Sequence, residues 1–99
     1  MIRHVVAFRW SCEVSGEAKE AVAAGLATLP SQIPAIRAYR FGPDAGLADG
    51  NYDFAVTADF ADEAGYLEYR DHPAHRTVIT ERILPIVAER AAVQLRLDD

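Results

Sequence analysis

The sequence predicts a single α+β domain over residues 1–99, in the order β-α-β-β-α-α-β, with a four-stranded antiparallel sheet covered by helices on one face. Three observations carry this. Two stretches, "IRHVVAFRW" and "YDFAVTADF", alternate apolar and polar residues with the period of a strand. Two others, after Ser15 and after Pro73, repeat apolar residues at the three-and-four spacing of a helix. Cap and turn residues separate them.

In the first strand Ile2, His4, Val6, Phe8 and Trp10 share one face, and Arg3, Val5, Ala7 and Arg9 share the other. Ser15 is placed to cap the first helix, with Glu17 in its first turn, and Ala18, Val22, Gly25, Leu26 and Leu29 form its apolar stripe. Pro30 and Pro34 are expected to end it. A second strand is expected over 35–41, closed by the Gly42-Pro43 turn signal, and a loop then runs to about Asn51. The third strand carries Tyr52, Phe54, Val56, Ala58 and Phe60 on its apolar face. Asp62 caps a short helix reaching about Arg70. A further helix starts at Pro73, with Val78, Ile79, Ile83, Ile86 and Val87 on its apolar side, and Pro85 should kink or split it. "AAVQLRL", with Val93, Leu95 and Leu97 on one face, is the last strand, and the Asp98-Asp99 tail should fray. The helix-covered face is expected to take the strands' apolar sets, and the face away from the helices then holds Val5, Ala7, Ala38, Ala55 and Thr57 beside arginines and aspartates. Half apolar, it suits a second copy better than water, so a homodimer is expected.

Composition excludes several roles. The net charge is −5 and Lys19 is the single lysine, which argues against nucleic acid and against a polybasic membrane anchor. No apolar run approaches the ~18 residues of a membrane span, and no leader-like segment precedes the first strand. Cys12 stands alone, so no internal disulfide or paired-cysteine metal site forms, and a reducing, cytoplasmic setting is the natural expectation. Cys12 also sits beside Glu13, which disfavours its thiolate. "GPDAGLADG" lacks the Lys-Ser/Thr ending of a phosphate loop, and no dinucleotide fingerprint occurs, so no cofactor is expected.

The chemistry-bearing residues concentrate in "YLEYRDHPAHRTV". His72 before Pro73 reads as a helix cap, since proline at the first helical position loses no hydrogen bond. His75 falls in the first turn, where the helix dipole favours a neutral imidazole, the form a general base needs. His4 lies on an apolar face and must find a partner or line a cavity, because leaving it unpaired costs on the order of 1–3 kcal/mol. His72 and His75 are three apart, but the cap position removes one from the helix, and a zinc site needs more ligands than these, so no metal is expected.

The stretches "IRHVVAFRW", "LPSQIPAIRAYRFGPD" and "NYDFAVTADFADEAGYLEYRDHPAH" together resemble the Dabb family, the stress-responsive dimeric α/β-barrel domain. Tyr69-x-x-His72-Pro73-x-His75, combined with a first-strand histidine, is the most specific part. The resemblance implies a ferredoxin-like monomer whose sheet pairs with a second copy to form a dimeric α+β barrel. One member class, the polyketide cyclase typified by olivetolic acid cyclase, works without a cofactor. Its residues carry over to His4, Tyr69 and His75, while a further pocket histidine falls on Phe54. The expectation is a cofactor-independent cyclase or aldolase-like enzyme for an apolar, polyketide-like carbonyl compound. His75 would be the base, Tyr69 and His4 would hold the oxygen, and Phe54, Phe8 and Tyr52 would hold the substrate. The alternatives are a non-enzymatic stress-responsive or accessory ligand-binding protein and, by fold analogy, a cofactor-free monooxygenase.

Overall fold

Both alternating stretches are strands of one sheet, because pairing them antiparallel puts large apolar side chains opposite each other. The computed structural model describes residues 1–98, so Asp99 of the expected frayed tail lies outside the described residues. The strands are β1 (Ile2–Trp10), β2 (Ala38–Pro43), β3 (Phe54–Phe60) and β4 (Val87–Arg96), in the order β2-β3-β1-β4, all neighbours antiparallel. The helices are α1 (Gly16–Ala27), α2 (Leu29–Gln32), α3 (Glu63–Asp71) and α4 (Pro73–Val78), and a π-helical turn (Ile79–Ile83) follows α4.

Central β1 sets Val6 opposite Val56 and Phe8 opposite Phe54. Val22, Leu26 and Leu29, at or next to α1, and Ile33 cover this face and are essentially inaccessible to water. Phe60, Tyr69, Val78 and Ile83 complete the core. Ser15 Oγ accepts from the Ala18 amide and Asp62 Oδ1 from the Gly65 amide, so both expected caps form.

The departures from the sequence reading have local causes. Pro30 does not stop the helical path: Thr28 closes α1, and Pro30 then sits in the first turn of α2, where a missing amide is harmless. Strand β2 starts at Ala38 and runs through Gly42 and Pro43, which pair with Ala55 and Phe54; an edge strand tolerates proline because its free side needs no donor. Strand β3 starts at Phe54, leaving Tyr52 outside the pleat. Beyond α4 the chain widens into the π turn, marked by the Leu84 amide donating to the Ile79 carbonyl at 2.9 Å. Pro85 ends the helical region rather than kinking it. Ile86 and Val87 are therefore not helical, and β4 begins at Val87, paired with Trp10, instead of at Ala91.

The other sheet face carries no helix. Across β1 and β4, Arg3 meets Leu95, Val5 meets Val93, Ala7 meets Ala91 and Arg9 meets Glu89. Val93 is 50 % and Leu95 44 % exposed, so the apolar set of the last strand, expected on the helix-covered face, stands instead on the open face, because register pairs it with Val5 and Arg3. Asp59 is held on this face by a bidentate bond from Arg3 (2.7 and 2.9 Å), which keeps its carboxyl below the usual range.

Gly25 lets α1 approach α4 and the π turn closely. A Cβ there would lie 3.0 Å from Arg82 Cδ and 3.2 and 3.3 Å from the two methyls of buried Val78. Gly25→Val should therefore cost about 1–3 kcal/mol in urea denaturation. Gly16→Ala, with open space around its Cβ, should stay within about 0.5 kcal/mol of the parent.

Candidate active site

The break between α3 and α4 builds the site. His72 is at once the last cap of α3 and the first of α4; its extended backbone (φ −63°, ψ 134°) turns the chain, and its Nδ1 accepts from the Ala74 amide at 3.0 Å. The turn brings Tyr69, at the end of α3, against His75, at the start of α4, with ring centroids 4.0 Å apart and planes 31° apart. The capping role foreseen for His72 thus holds, and it engages the ring's Nδ1. Among the described residues, no group of three His, Cys, Asp or Glu side chains is arranged to hold a metal ion.

Tyr69 and His75 line a cavity of about 340 Å³ between the helices and the sheet. Its sheet wall is His4, Val6, Phe8 and Val56, its helix wall includes Tyr66, Ile79, Ile83 and Leu84, and Arg70, Arg76 and Arg90 line it as well.

His75 Nδ1 lies 3.2 Å from the Arg70 carbonyl oxygen. A carbonyl can only accept, so Nδ1 carries the proton and Nε2 keeps its lone pair. Arg70 belongs to the last turn of α3, whose carbonyls have no partner within the helix; the helix end thereby selects the tautomer. Burial lowers the His75 pKa, the bond to Arg70 opposes this, and the nearby Arg76 and Arg90 charges lower it further.

His4 has the opposite arrangement. It is 4 % exposed, and its Nδ1 is 2.9 Å from Nε2 of Gln94, its register partner on β4. An amide N–H donates, so Nδ1 accepts and the ring proton sits on Nε2. Burial, helped by Arg90 and His75, pushes the His4 pKa down to about 4. Its ring lies 5.2 Å from Tyr66 and 6.2 Å from Tyr69, centroid to centroid.

Tyr69 is 2 % exposed, and its hydroxyl is 2.9 Å from that of Tyr39. Burial pushes Tyr39 up to about 12 and Tyr69 higher still. Both phenols stay protonated, so Tyr69 can donate a hydrogen bond but cannot serve as a base. When Tyr39 donates to Tyr69, the Tyr69 hydrogen is free for a ligand.

Of the six residues named as site candidates, His4, Tyr69, His75 and Phe8 line this one cavity, while Phe54 and Tyr52 do not. Phe54 is packed in the core between Trp10 (5.7 Å) and Phe41 (6.4 Å). Tyr52 lies under the Arg9 guanidinium, 4.4 Å from its ring centroid, and its hydroxyl donates to Glu89. Both partners belong to the open face of the sheet. Sequence reasoning missed Tyr39, Arg90 and Gln94. Tyr39 alternates with Phe41 in a recognised strand and could have been found; Arg90 fell outside a strand read as starting at Ala91.

The family described as the stress-responsive A/B barrel domain, Dabb, matches residues 2–96. The chain belongs to the Dabb family. Solved structures agree. A dimeric ferredoxin-like protein of unknown function from Thermobifida fusca is 48 % identical, with a TM-score of 0.90 over 97 % of this chain and 90 % of that one. A Dabb protein from Mesorhizobium loti shares the fold at 22 % identity (TM-score 0.81, 99 % and 97 % covered). So does a hydroxynitrile lyase from Passiflora edulis at 20 % identity (TM-score 0.84, 99 % and 94 % covered). At such identities the likeness is one of fold. No curated protein matches the chain.

The buried His4 links this Dabb protein's stability to pH. Its pKa is about 4 folded against 6.5 unperturbed, so between these values the unfolded chain binds more protons. Stability should be complete above about pH 6.5 and fall by up to about 3 kcal/mol as the pH drops towards 4. His75, shifted the same way, adds to the trend, whereas Asp59 acts only below the ordinary carboxylate range. Urea denaturation at pH 7 and 4.5 checks this: His4→Phe should flatten the difference.

Proposed function

We propose that the protein is a cofactor-independent enzyme that removes a proton next to the carbonyl group of an apolar compound, in a reaction of the cyclase, aldolase or lyase type. The observation that carries this is His75, neutral, protonated on Nδ1 and in tilted ring contact with Tyr69, lining one cavity with His4. His75 Nε2 takes the α-proton; the C–H electron pair forms the enol double bond, and the carbonyl pair moves onto oxygen. Tyr69 Oη–H and His4 Nε2–H donate to that oxygen, in a setting where few waters compete. The enolate then attacks a second carbonyl, closing a ring or joining two molecules, or takes the proton back. The same base suits removal of a hydroxyl proton from a cyanohydrin, the O–H pair forming the carbonyl while the carbon–carbon pair leaves with cyanide; a hydroxynitrile lyase from Passiflora shares the fold. Phe54 stands where the cyclase resemblance has a histidine, so the proton transfer and the oxygen contacts fall to His4, Tyr69 and His75.

The measurement is deuterium uptake at the α-carbon of butyrophenone in D₂O, followed by NMR. Wild type should exceed buffer clearly, His75→Ala should lose 10²-fold or more, and Tyr69→Phe roughly tenfold. Binding of the ketone with no exchange above buffer would replace this reading with the ligand-binding one, which the apolar cavity wall and the buried Phe54 favour.

We also infer that two copies pair through the open sheet face. The support is the exposed Val93 and Leu95 strip and the 48 % identical relative described as dimeric. Val93→Asp would place a charge in that strip, so sedimentation at micromolar concentration should show a dimer for wild type and a monomer for the variant.

A further inference from the structure

The cavity wall has a charge bias that runs against the whole chain. Acidic residues outnumber basic ones, fifteen to ten, yet three arginines and no aspartate or glutamate line the cavity. Arg70 is already committed, with two bonds to Asp71 at 2.9 and 3.1 Å. Arg76 and Arg90 have no carboxylate partner among the described residues. Arg90 is the more telling. Its strand neighbours Arg9 and Arg96 each find an acid, Glu89 and Glu63, whereas Arg90 finds none.

Register explains where Arg90 points. It is opposite Phe8, and register partners share a sheet face, so it stands on the helix-covered side with Phe8 and His4. The residue between Arg90 and Gln94 on that face is Ala92, too small to fill the gap. The guanidinium thus borders the cavity and is exposed at its rim. Its charge reaches His4, His75 and Tyr69, lowering the pKa of each.

We propose that the ligand of this cavity is a carbonyl compound with an apolar body and a carboxylate, the carboxylate held at the rim by Arg90 with Arg76 beside it. This deepens the functional reading above and rests on it. A planar guanidinium suits a carboxylate, which it can bind through two parallel N–H bonds. With the acid at the rim, the apolar part reaches inward along Phe8, Val6 and Ile83, and the carbonyl comes to His75 and Tyr69. Being exposed, the arginines act mainly by attraction and orientation, so the effect should weaken with salt.

The test uses 4-oxo-4-phenylbutanoate, its neutral amide, its phosphonate counterpart, and butyrophenone. Deuterium exchange next to the ketone gives kcat/KM, and calorimetry gives Kd. Wild type should favour the carboxylate over the amide and butyrophenone at least tenfold, and over the phosphonate. Arg90→Gln should bring the carboxylate-to-amide ratio close to one, Arg90→Lys should keep part of it, and Arg37→Gln, the same charge change away from the cavity, should keep all of it. Equal values for carboxylate and amide in wild type would overturn the proposal, as would a ratio that survives Arg90→Gln. Phosphonate preferred over carboxylate would overturn the carboxylate assignment. If no ketone exchanges, the enzymatic reading fails while the Kd ratio still decides the carboxylate.

Discussion

The site depends on the way His72 and Pro73 interrupt a helix. Had α3 continued, Tyr69 and His75 would sit six residues apart on one helix, well separated around and along its axis. The interruption needs a residue that is extended, caps the next helix and tolerates a following proline, and His72 does all three. Its consequence is the tilted ring contact of Tyr69 with His75, 4.0 Å between centroids, and the bond from His75 to a carbonyl that the broken helix leaves free. A structural device at His72 thus determines the protonation of a different histidine.

The sheet does the matching work on the opposite wall. Because side chains alternate, β1 delivers His4, Val6 and Phe8 to the helices and Arg3, Val5 and Ala7 to the open face. Burying a histidine among these costs free energy unless a donor or acceptor meets it. Gln94 does so from the neighbouring strand, at the one register position that could. The two faces are therefore coupled: a slip of β4 by one residue would move Gln94 away from His4 and turn Val93 and Leu95 inward.

How far the sequence could be read follows from the same physics. Strict alternation made β1 and β3 plain, and the Ser15, Asp62 and His72 caps marked three helix starts correctly. Proline was harder, because its effect depends on what surrounds it. Pro30 was harmless in a first turn, Pro43 fitted an edge strand, and Pro85 ended a helix outright. The π turn has no compositional mark, since one wider turn uses the same apolar residues as an α-helix. Taking Ile86 and Val87 as helical hid the first part of β4, and with it Arg90. Pattern could bring His4, Tyr69 and His75 forward, but only the register of β4 could say which cation shares their face.

Two histidines of one cavity are given opposite jobs by their neighbours alone. Gln94 donates to His4 Nδ1 and leaves that ring a donor at Nε2; the Arg70 carbonyl accepts from His75 Nδ1 and leaves that ring an acceptor at Nε2. Burial keeps both neutral in the range where unperturbed histidines begin to charge, and the Arg90 charge pushes the same way. A cationic His75 would have no lone pair with which to take a proton. A cationic His4 would repel Arg90 and lose the bond from Gln94. An arginine at the cavity rim thus suits both histidines in their neutral forms, whereas a carboxylate in its place would raise both pKa values and weaken the division between acid and base.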